Sequence, residues 1–447
     1  MIALEHSEAL ESAFHQLCSL LLDDLRSDEH LSIELESEQS QFIRFNAAKV
    51  RQTGTVADGT IKLRFIRDRQ TAYAAFPFTG DLAFDSAVGL ENLNHLRQEV
   101  AQLPEDPYIV LPENKGSSRE VYTGKLLDPD KAVAAILPAA QNIDFTGIYA
   151  AGVLIRANAN SAGQQHWFAT DSFFLDYSAI APSEKAVKAT YAGNSWNQEQ
   201  YEAQIEAART QLKVLDAPVK EILPGRYRTY LAPAATAALI DMLSWGAVSE
   251  SSMRQGGSAL AKLRQGKKLS PLLHLRENFN QGIPRFNELG EVAPEILPVI
   301  VEGELINTLV NSRTAKEYNL VANGANSSES LRAPEIGTGS LKSQDILQAL
   351  GTGLYLSNLH YLNWSDRIGG RITGMTRYAC FWVENGEIVA PIKDLRFDES
   401  IYAFLGDNLE ALTDFQEFIP ETSTYGSRQL GGSLMPGMLV RDFAFTL

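Results

Sequence analysis

The chain has 447 residues, 45% hydrophobic and 21% charged, the balance of an ordinary globular protein long enough to bury a sizeable core. Its 39 Lys and Arg against 55 Asp and Glu leave a net charge of −16, which argues against direct nucleic-acid binding, because phosphate contacts rest on cationic side chains. The two cysteines, Cys18 and Cys380, imply no disulfide framework, and no apolar run approaches the roughly 20 residues that cross a bilayer, so a cytoplasmic protein with no membrane partner is expected.

Residues 7–26 place apolar groups at helical spacing and close on Asp23, Asp24, Asp28 and Glu29. Strand-like runs follow. LSIELES (31–37) alternates with period two, and 41–46, 60–66 and 71–76 continue the pattern as a meander, with RDRQ turning between the last two. A second helix is expected over 85–101, stopped by Pro104 and Pro107, and a third over 130–141. Residues 149–160 and 166–180 read as a strand pair. The clearest helix is SWNQEQYEAQIEAARTQLKVLD (195–216), with Ser195 or Asn197 as its cap.

APVKEILPGRY then marks a boundary between an N-terminal α/β domain over 1–220 and a C-terminal β-rich domain over 221–447. Just beyond it, YLAPAATAALIDMLSWGAVSES (230–251) leaves a strand-like run at Pro233 and reads as one alanine-rich helix. PVIVEGELINTLVNS (298–312) predicts two strands around Glu302-Gly303. YACFWVENGEIVAPI (378–392) predicts a hairpin on Asn385-Gly386, a dipeptide suited to the tight turn between paired strands. The fold class is α+β. The first half combines helices with antiparallel strands, and the second is β-dominated, a partial barrel or several sheets with hairpins.

The residues alone show no self-evident active site. The seven histidines (His6, His15, His30, His95, His166, His274 and His360) include no two spaced four apart, which excludes HExxH. His15 with Cys18 and His274 with Glu277 stand three apart, but two ligands do not make a metal site. A Cys–His pair assembled from distant positions stays open. GGSLMPG (431–437) fails as a nucleophile elbow at Met435, and the Gly-Thr-Gly at 351–353 meets Leu356 where a dinucleotide loop needs glycine. Arg64, Arg67 and Arg69, the group Lys262, Arg264, Lys267 and Lys268, and the acidic pairs Asp128/Asp130 and Asp394/Asp398 read as solvated faces and turns.

Residues 350–397, LGTGLYLSNLHYLNWSDRIGGRITGMTRYACFWVENGEIVAPIKDLRF, resemble the TldD/PmbA family, also called modulators of DNA gyrase. Gly351, Gly353, Gly374, the run Phe381 to Ile388 and Pro391 match its pattern. GGSALAKLRQGKKLSP (256–271), residues 288–320 and ADGTIKLRFIRDRQTAYAAF (57–76) are similar to its other segments, so the resemblance covers most of the chain, strongly after residue 225 and loosely before it. Gly351, Gly353, Gly374, Trp382, Glu384 and Asn385 become candidates for a substrate groove.

In that family, TldD-type members resemble zinc metallopeptidases, with His-Glu-x-x-x-His on a helix of the second half and a late cysteine ligand. PmbA- or TldE-type members lack the motif and pair with a TldD-type subunit. On the family order IDMLSW falls on the motif, so Ile240 and Trp245 stand for the histidines and Asp241 for the glutamate, and residues 423–440 hold no cysteine. The resemblance implies no catalytic residue and no metal in this chain, with zinc only in a TldD-type partner. It implies a PmbA/TldE-type subunit of a cytosolic peptidase assembly acting on peptides or unfolded segments. The alternatives are a homodimeric binding or regulatory protein without a proteolytic role, and a hydrolase with a site relocated to His166, His274 or His360. The gyrase label enters only with the family name.

Overall fold

The structure, a computed structural model, describes residues 2–446, with side chains described from Ser7 onward; the side chain of His6 lies outside them. The first half contains α1 (Ile2–Asp23), β1 (Glu29–Asn46), β2 (Lys49–Arg67), β3 (Gln70–Pro77), α2 (Leu82–Glu99), β4 (Ser118–Tyr122), α3 (Ala132–Ile136), β5 (Asp144–Asn160), β6 (Gln165–Ile180), β7 (Ala186–Gly193) and α4 (Gln198–Leu215). Its seven strands form one sheet in the order β3-β2-β1-β5-β6-β4, with β7 also pairing β6. The runs at 31–37 and 41–46 are one strand rather than two. The polar residues between them are not a turn: Glu38 and Ser40 are buried, and each pairs with both β2 and β5.

The sheet has two chemically different faces, because successive side chains of a strand point to opposite sides. Leu31, Ile33, Leu35, Ile43 and Phe45 of β1 share one face with Tyr149, Val153, Ile155 and Ala157 of β5. α1 and α2 cover one end of it through Phe14, Leu17, Leu21, Leu93 and Leu96, and α3 and α4 cover the other through Ile136, Tyr201 and Ile205. The expected helix over 130–141 shrinks to α3 because Pro138 removes a donor and disfavours helix at Leu137. Of the two cap candidates for α4, Asn197 is the cap, its Oδ1 accepting from the Gln200 N–H. The opposite face of the sheet carries Glu34, Glu36, Glu38, Ser40, Arg156 and Asn158 and meets the second half of the chain.

The second half contains β8 (Gly225–Leu231), α5 (Pro233–Asp241), α6 (Glu250–Arg254), α7 (Ala261–Arg264), β9 (Leu275–Asn278), β10 (Ile296–Val301), β11 (Glu304–Leu305), α8 (Ser312–Tyr318), β12 (Pro334–Ile336) and α9 (Ile346–Leu350). It continues with β13 (Gly353–Leu356), β14 (Asn358–Asp366), β15 (Arg371–Arg377), β16 (Phe381–Glu384), β17 (Glu387–Pro391), β18 (Arg396–Ser400), β19 (Leu409–Leu412), β20 (Glu417–Pro420), β21 (Gly432–Met435) and β22 (Met438–Phe445). Two open sheets result, ordered β11-β10-β9-β12-β21-β20 and β14-β15-β18-β22-β8-β13-β16-β17, with β19 on β22. The several-sheet form of the α+β expectation therefore holds. The predicted hairpin is β16–β17, with Asn385 at φ 48° and Gly386 at φ 81° supplying the left-handed turn.

The alanine-rich stretch is not one helix. α5 ends at Asp241, a tight turn follows over Met242–Ser244, and Gly246 turns the chain at φ 84°. That positive φ is what calls for glycine here, and the Arg367 guanidinium packs into the space a Cβ would take. Ser249 then caps α6 by accepting from the Ser252 N–H. Buried Glu250 secures this segment, accepting from Arg254 (2.7 Å), Arg264 (2.5 Å) and Thr308 (2.6 Å). Against the cost of burial, these donors hold its carboxyl at about 2. The basic group nearby is likewise structural, with Lys262 and Lys267 over the Tyr402 ring and Lys268 paired to Glu304.

Phe14 is fully buried at the seam between α1 and the sheet. Phe14→Ala is expected to cost about 3–5 kcal/mol by opening a cavity there. Urea denaturation checks it, and a loss under about 1 kcal/mol would show that α1 is not packed as described.

Candidate functional site

A cavity of about 660 Å³ opens between the polar face of the first sheet and α5. Glu34, Glu36, Arg156 and Ala157 form its floor. Ala234, Ala237, Ala238 and Asp241 line it at the i, i+3, i+4, i+7 spacing of a single helix face. Small alanine side chains on that face leave the space open. The remaining walls are the segments 283–288 and 326–334, Ile419 of β20, and the connection between β20 and β21, which presents Glu421, Gln429 and Leu430. α5 packs directly on β20 and β21. The helix matched to the motif and the late segment without cysteine thus meet around one cavity.

Of the three residues placed on the motif, only Asp241 faces this space. Ile240 is 1% exposed in the core of the second half, and Trp245 is 51% exposed at the break after the helix, outside the lining. Water reaches the Asp241 carboxylate through the cavity, yet the surrounding protein strips away enough solvent to raise its pKa, and the charge of Glu421 across the space raises it further.

The six groove candidates do not line the cavity. Gly353 lets β13 lie close on β8, since a Cβ there would sit 2.1 Å from the Arg228 carbonyl oxygen, and a Cβ on Gly374 would sit 2.6 Å from the Phe397 ring. Gly351 ends α9. Trp382 stands edge-on to Tyr227 and donates to Glu384, which pairs with Lys220 at 2.7 Å. Asn385 makes the hairpin turn. Gly351, Gly353, Trp382, Glu384 and Asn385 gather around β13, β16 and β17, whereas Gly374 sits apart on β15.

The pair His274 and Glu277 separates. His274 and Glu277 lie in and beside a strand, where a spacing of three places them on opposite faces; His274 is exposed and Glu277 is buried on the Arg332 and Ala333 N–H groups. Cys18 is enclosed in the α1 core, where burial pushes its thiol well up, and His360 is exposed against Tyr361. His166 is buried, with Nδ1 2.8 Å from Ser118 Oγ and Nε2 3.1 Å from the Gly290 carbonyl oxygen, and its ring stacks on Phe286 at 4.8 Å. Burial lowers its pKa, and its place is behind the cavity wall that Phe286 forms. Asp394 and Asp398 pair with Lys185 and Arg371, and Asp128 with Lys131.

The donor set does not fit zinc. The cavity lining includes no imidazole and no thiolate, and among the described residues no group of three His, Cys, Asp or Glu side chains could hold a metal ion.

The charged groups that do shape the cavity were not singled out from sequence. Burial pushes the Glu34 carboxyl up to about 7. Lys62 engages Glu36 at 2.8 Å and Glu34 at 3.7 Å. Arg156, the cross-strand partner of Glu36, makes one hydrogen bond, 2.8 Å to its neighbour's carbonyl at Ile155. Arg332 donates to the carbonyls of Phe286, Arg285 and Gly324. The β20–β21 connection is tied down by Arg428, only 2% exposed, which donates to Ser40 Oγ (3.0 Å) and to Ser172 O (3.0 Å) and Oγ (2.8 Å), while its backbone N–H reaches Glu38. Burial pushes the Arg428 pKa down to about 10. The available signal was the run of acids at every second position, Glu34, Glu36 and Glu38, alternating with the apolar Leu31, Ile33 and Leu35 of the other face.

Residues 224–447, half of the chain, match the family described as PmbA/TldA metallopeptidase C-terminal domain. No curated protein matches the sequence. Among solved structures, TldE from Thermococcus kodakarensis superposes with a TM-score of 0.78 at 16% identity, covering 97% of this chain and 100% of that one. Proteins named as modulators of DNA gyrase are similar at TM-scores of 0.75. The one from Thermotoga maritima has 16% identity over 98% of this chain, and the one from Bacteroides thetaiotaomicron 15% over 100%; each is covered in full. At these identities the likeness is one of fold.

Glu34 protonates more readily folded than unfolded, so its cost to stability appears as pH rises past about 4.3 and is complete above about 7. Glu34→Gln is expected to stabilise the protein by about 1–2 kcal/mol at pH 8 and to change little at pH 4, part of the shift being offset by the lost Lys62 contact. Urea denaturation at the two pH values checks this, and an equal effect at both would contradict a raised Glu34 pKa.

Proposed function

This chain belongs to the PmbA/TldD metallopeptidase family, and we propose that within it the chain is a PmbA/TldE-type subunit, non-catalytic alone, of a cytoplasmic peptidase assembly that handles peptides or unfolded segments. One observation carries the reading. The face that α5 turns to the cavity presents Ala234, Ala237, Ala238 and Asp241, and the facing wall presents Glu421, Gln429 and Leu430, so neither imidazole nor thiolate stands where a metallopeptidase of this family needs ligands. The likeness to TldE supports the same branch at the level of fold.

On this reading the partner is a TldD-type, zinc-bearing relative, and the substrate is a peptide. A division into 1–220 and 221–447 is supported by the sheets, since the first draws all its strands from before residue 220 and the other two from after it. The net charge of −16 gives no support for contact with DNA, whatever the naming of the Thermotoga and Bacteroides relatives.

The test is a pull-down of the tagged chain from its native cytosol, followed by metal analysis and peptide cleavage with and without chelator. A zinc-bearing relative is expected in the eluate, with the chain purified alone holding less than about 0.1 zinc and cleaving nothing. About one zinc per isolated chain with chelator-sensitive cleavage would overturn the reading in favour of a relocated site. A stable homodimer that ignores the relative would overturn it in favour of a binding protein.

A further inference from the structure

We infer that the cavity binds a short peptide by its two free ends, the terminal carboxylate at Arg156 and the terminal ammonium at Asp241 and Glu421. The site is bipolar. Arg156 lines one wall with five N–H donors, of which one hydrogen bond is formed, to the Ile155 carbonyl. No carboxylate among the described residues comes within ion-pair distance of it; Glu36, opposite it on β1, and Glu34 are both within 4 Å of Lys62, while the charges of Glu36, Glu34 and Glu38 act on Arg156 from farther off. A half-buried guanidinium fork with donors to spare matches a carboxylate with two parallel hydrogen bonds.

Across the cavity stand two acceptors without cations. Asp241 accepts no hydrogen bond among the described residues, and Glu421 accepts only from the Ser423 backbone N–H. Their mutual repulsion and the desolvation of Asp241 would both be relieved by an ammonium between them. Of the other charged lining groups, Glu34 and Glu36 lie by Lys62, Glu288 accepts from the Ser327 N–H as Glu421 does from Ser423, and Arg332 is held by three carbonyls. Between the poles lie Ala237, Ala238, Leu331 and Ile419, an apolar middle for small or aliphatic side chains. The volume of about 660 Å³ is that of a ligand pocket and holds a few residues.

This chemistry selects by chain ends. An internal segment of an unfolded polypeptide has neither end to offer, whereas every peptide released by hydrolysis of both flanking bonds has both. The ligand is therefore a short free peptide, of the kind that peptide-bond hydrolysis releases. The inference rests on the peptide-handling reading above and extends it from the assembly to this chain's own cavity.

The test is calorimetric titration of the full chain with tetraalanine, N-acetyl-tetraalanine and tetraalanine amide. The free peptide is expected to bind, with either cap weakening affinity by about tenfold or more. Arg156→Gln should erase the preference for free over amidated peptide alone, and Asp241→Asn or Glu421→Gln the preference for free over acetylated peptide alone. Ala238→Leu, which fills the apolar middle, should abolish binding of all three without lowering the melting temperature. Equal binding of capped and free peptides, or no binding of tetraalanine at millimolar concentration, overturns the inference. Recovery of a zinc-bearing relative in the pull-down without tetraalanine binding sinks only this inference, and tetraalanine binding without any relative sinks only the assembly reading.

Discussion

The strands β1 and β5 bury two incompatible chemistries on opposite faces of one sheet, and much of the molecule follows from satisfying both. The apolar face is covered by four helices, as hydrophobic burial requires. The other face puts three glutamates, an arginine, an asparagine and a serine where the second half of the chain must lie. Such groups are costly to bury without partners. The second half supplies them from loops rather than from strands: Arg428 reaches Ser40 and Ser172, the Glu288 carbonyl takes the Asn158 amide, and the Gly290 carbonyl takes His166. Where that supply stops, at Glu34, Glu36 and Arg156, the cavity begins.

α5 completes the enclosure by what it lacks. Three alanines on its inner face keep the helix at a distance set by backbone and methyl groups, while Ile240 on another face anchors it in the core. The turn at Gly246 then takes the chain away from the cavity, so that Trp245 stays outside. A helix running on through this stretch would have carried bulkier residues along the same line. The break and the small side chains act together to keep the volume open.

The elements legible in the sequence were those governed by local rules. The Asn385-Gly386 hairpin, the Asn197 cap and the alternation of β1 all rest on neighbouring residues. Motif spacing carried the family, and with it the place of α5 in the second half. What escaped depended on distant parts of the chain. The period-two pattern revealed two faces of β1 but not that the acidic one is covered, because the cover arrives from near residue 428. The same distance hid the packing of the Trp-Val-Glu-Asn-Gly hairpin against Tyr227 and Lys220. His274 and Glu277 were paired by a helical spacing that does not apply along a strand.

Arg428 fastens the β20–β21 connection to the first sheet from inside, and that connection is also a wall of the cavity. Floor and wall are therefore joined by one side chain that belongs to neither the floor nor α5. Geometrically the cavity is a gauge of how the two halves are seated. A tilt small enough to leave both hydrophobic cores intact would still change the gap between Arg156 and Asp241.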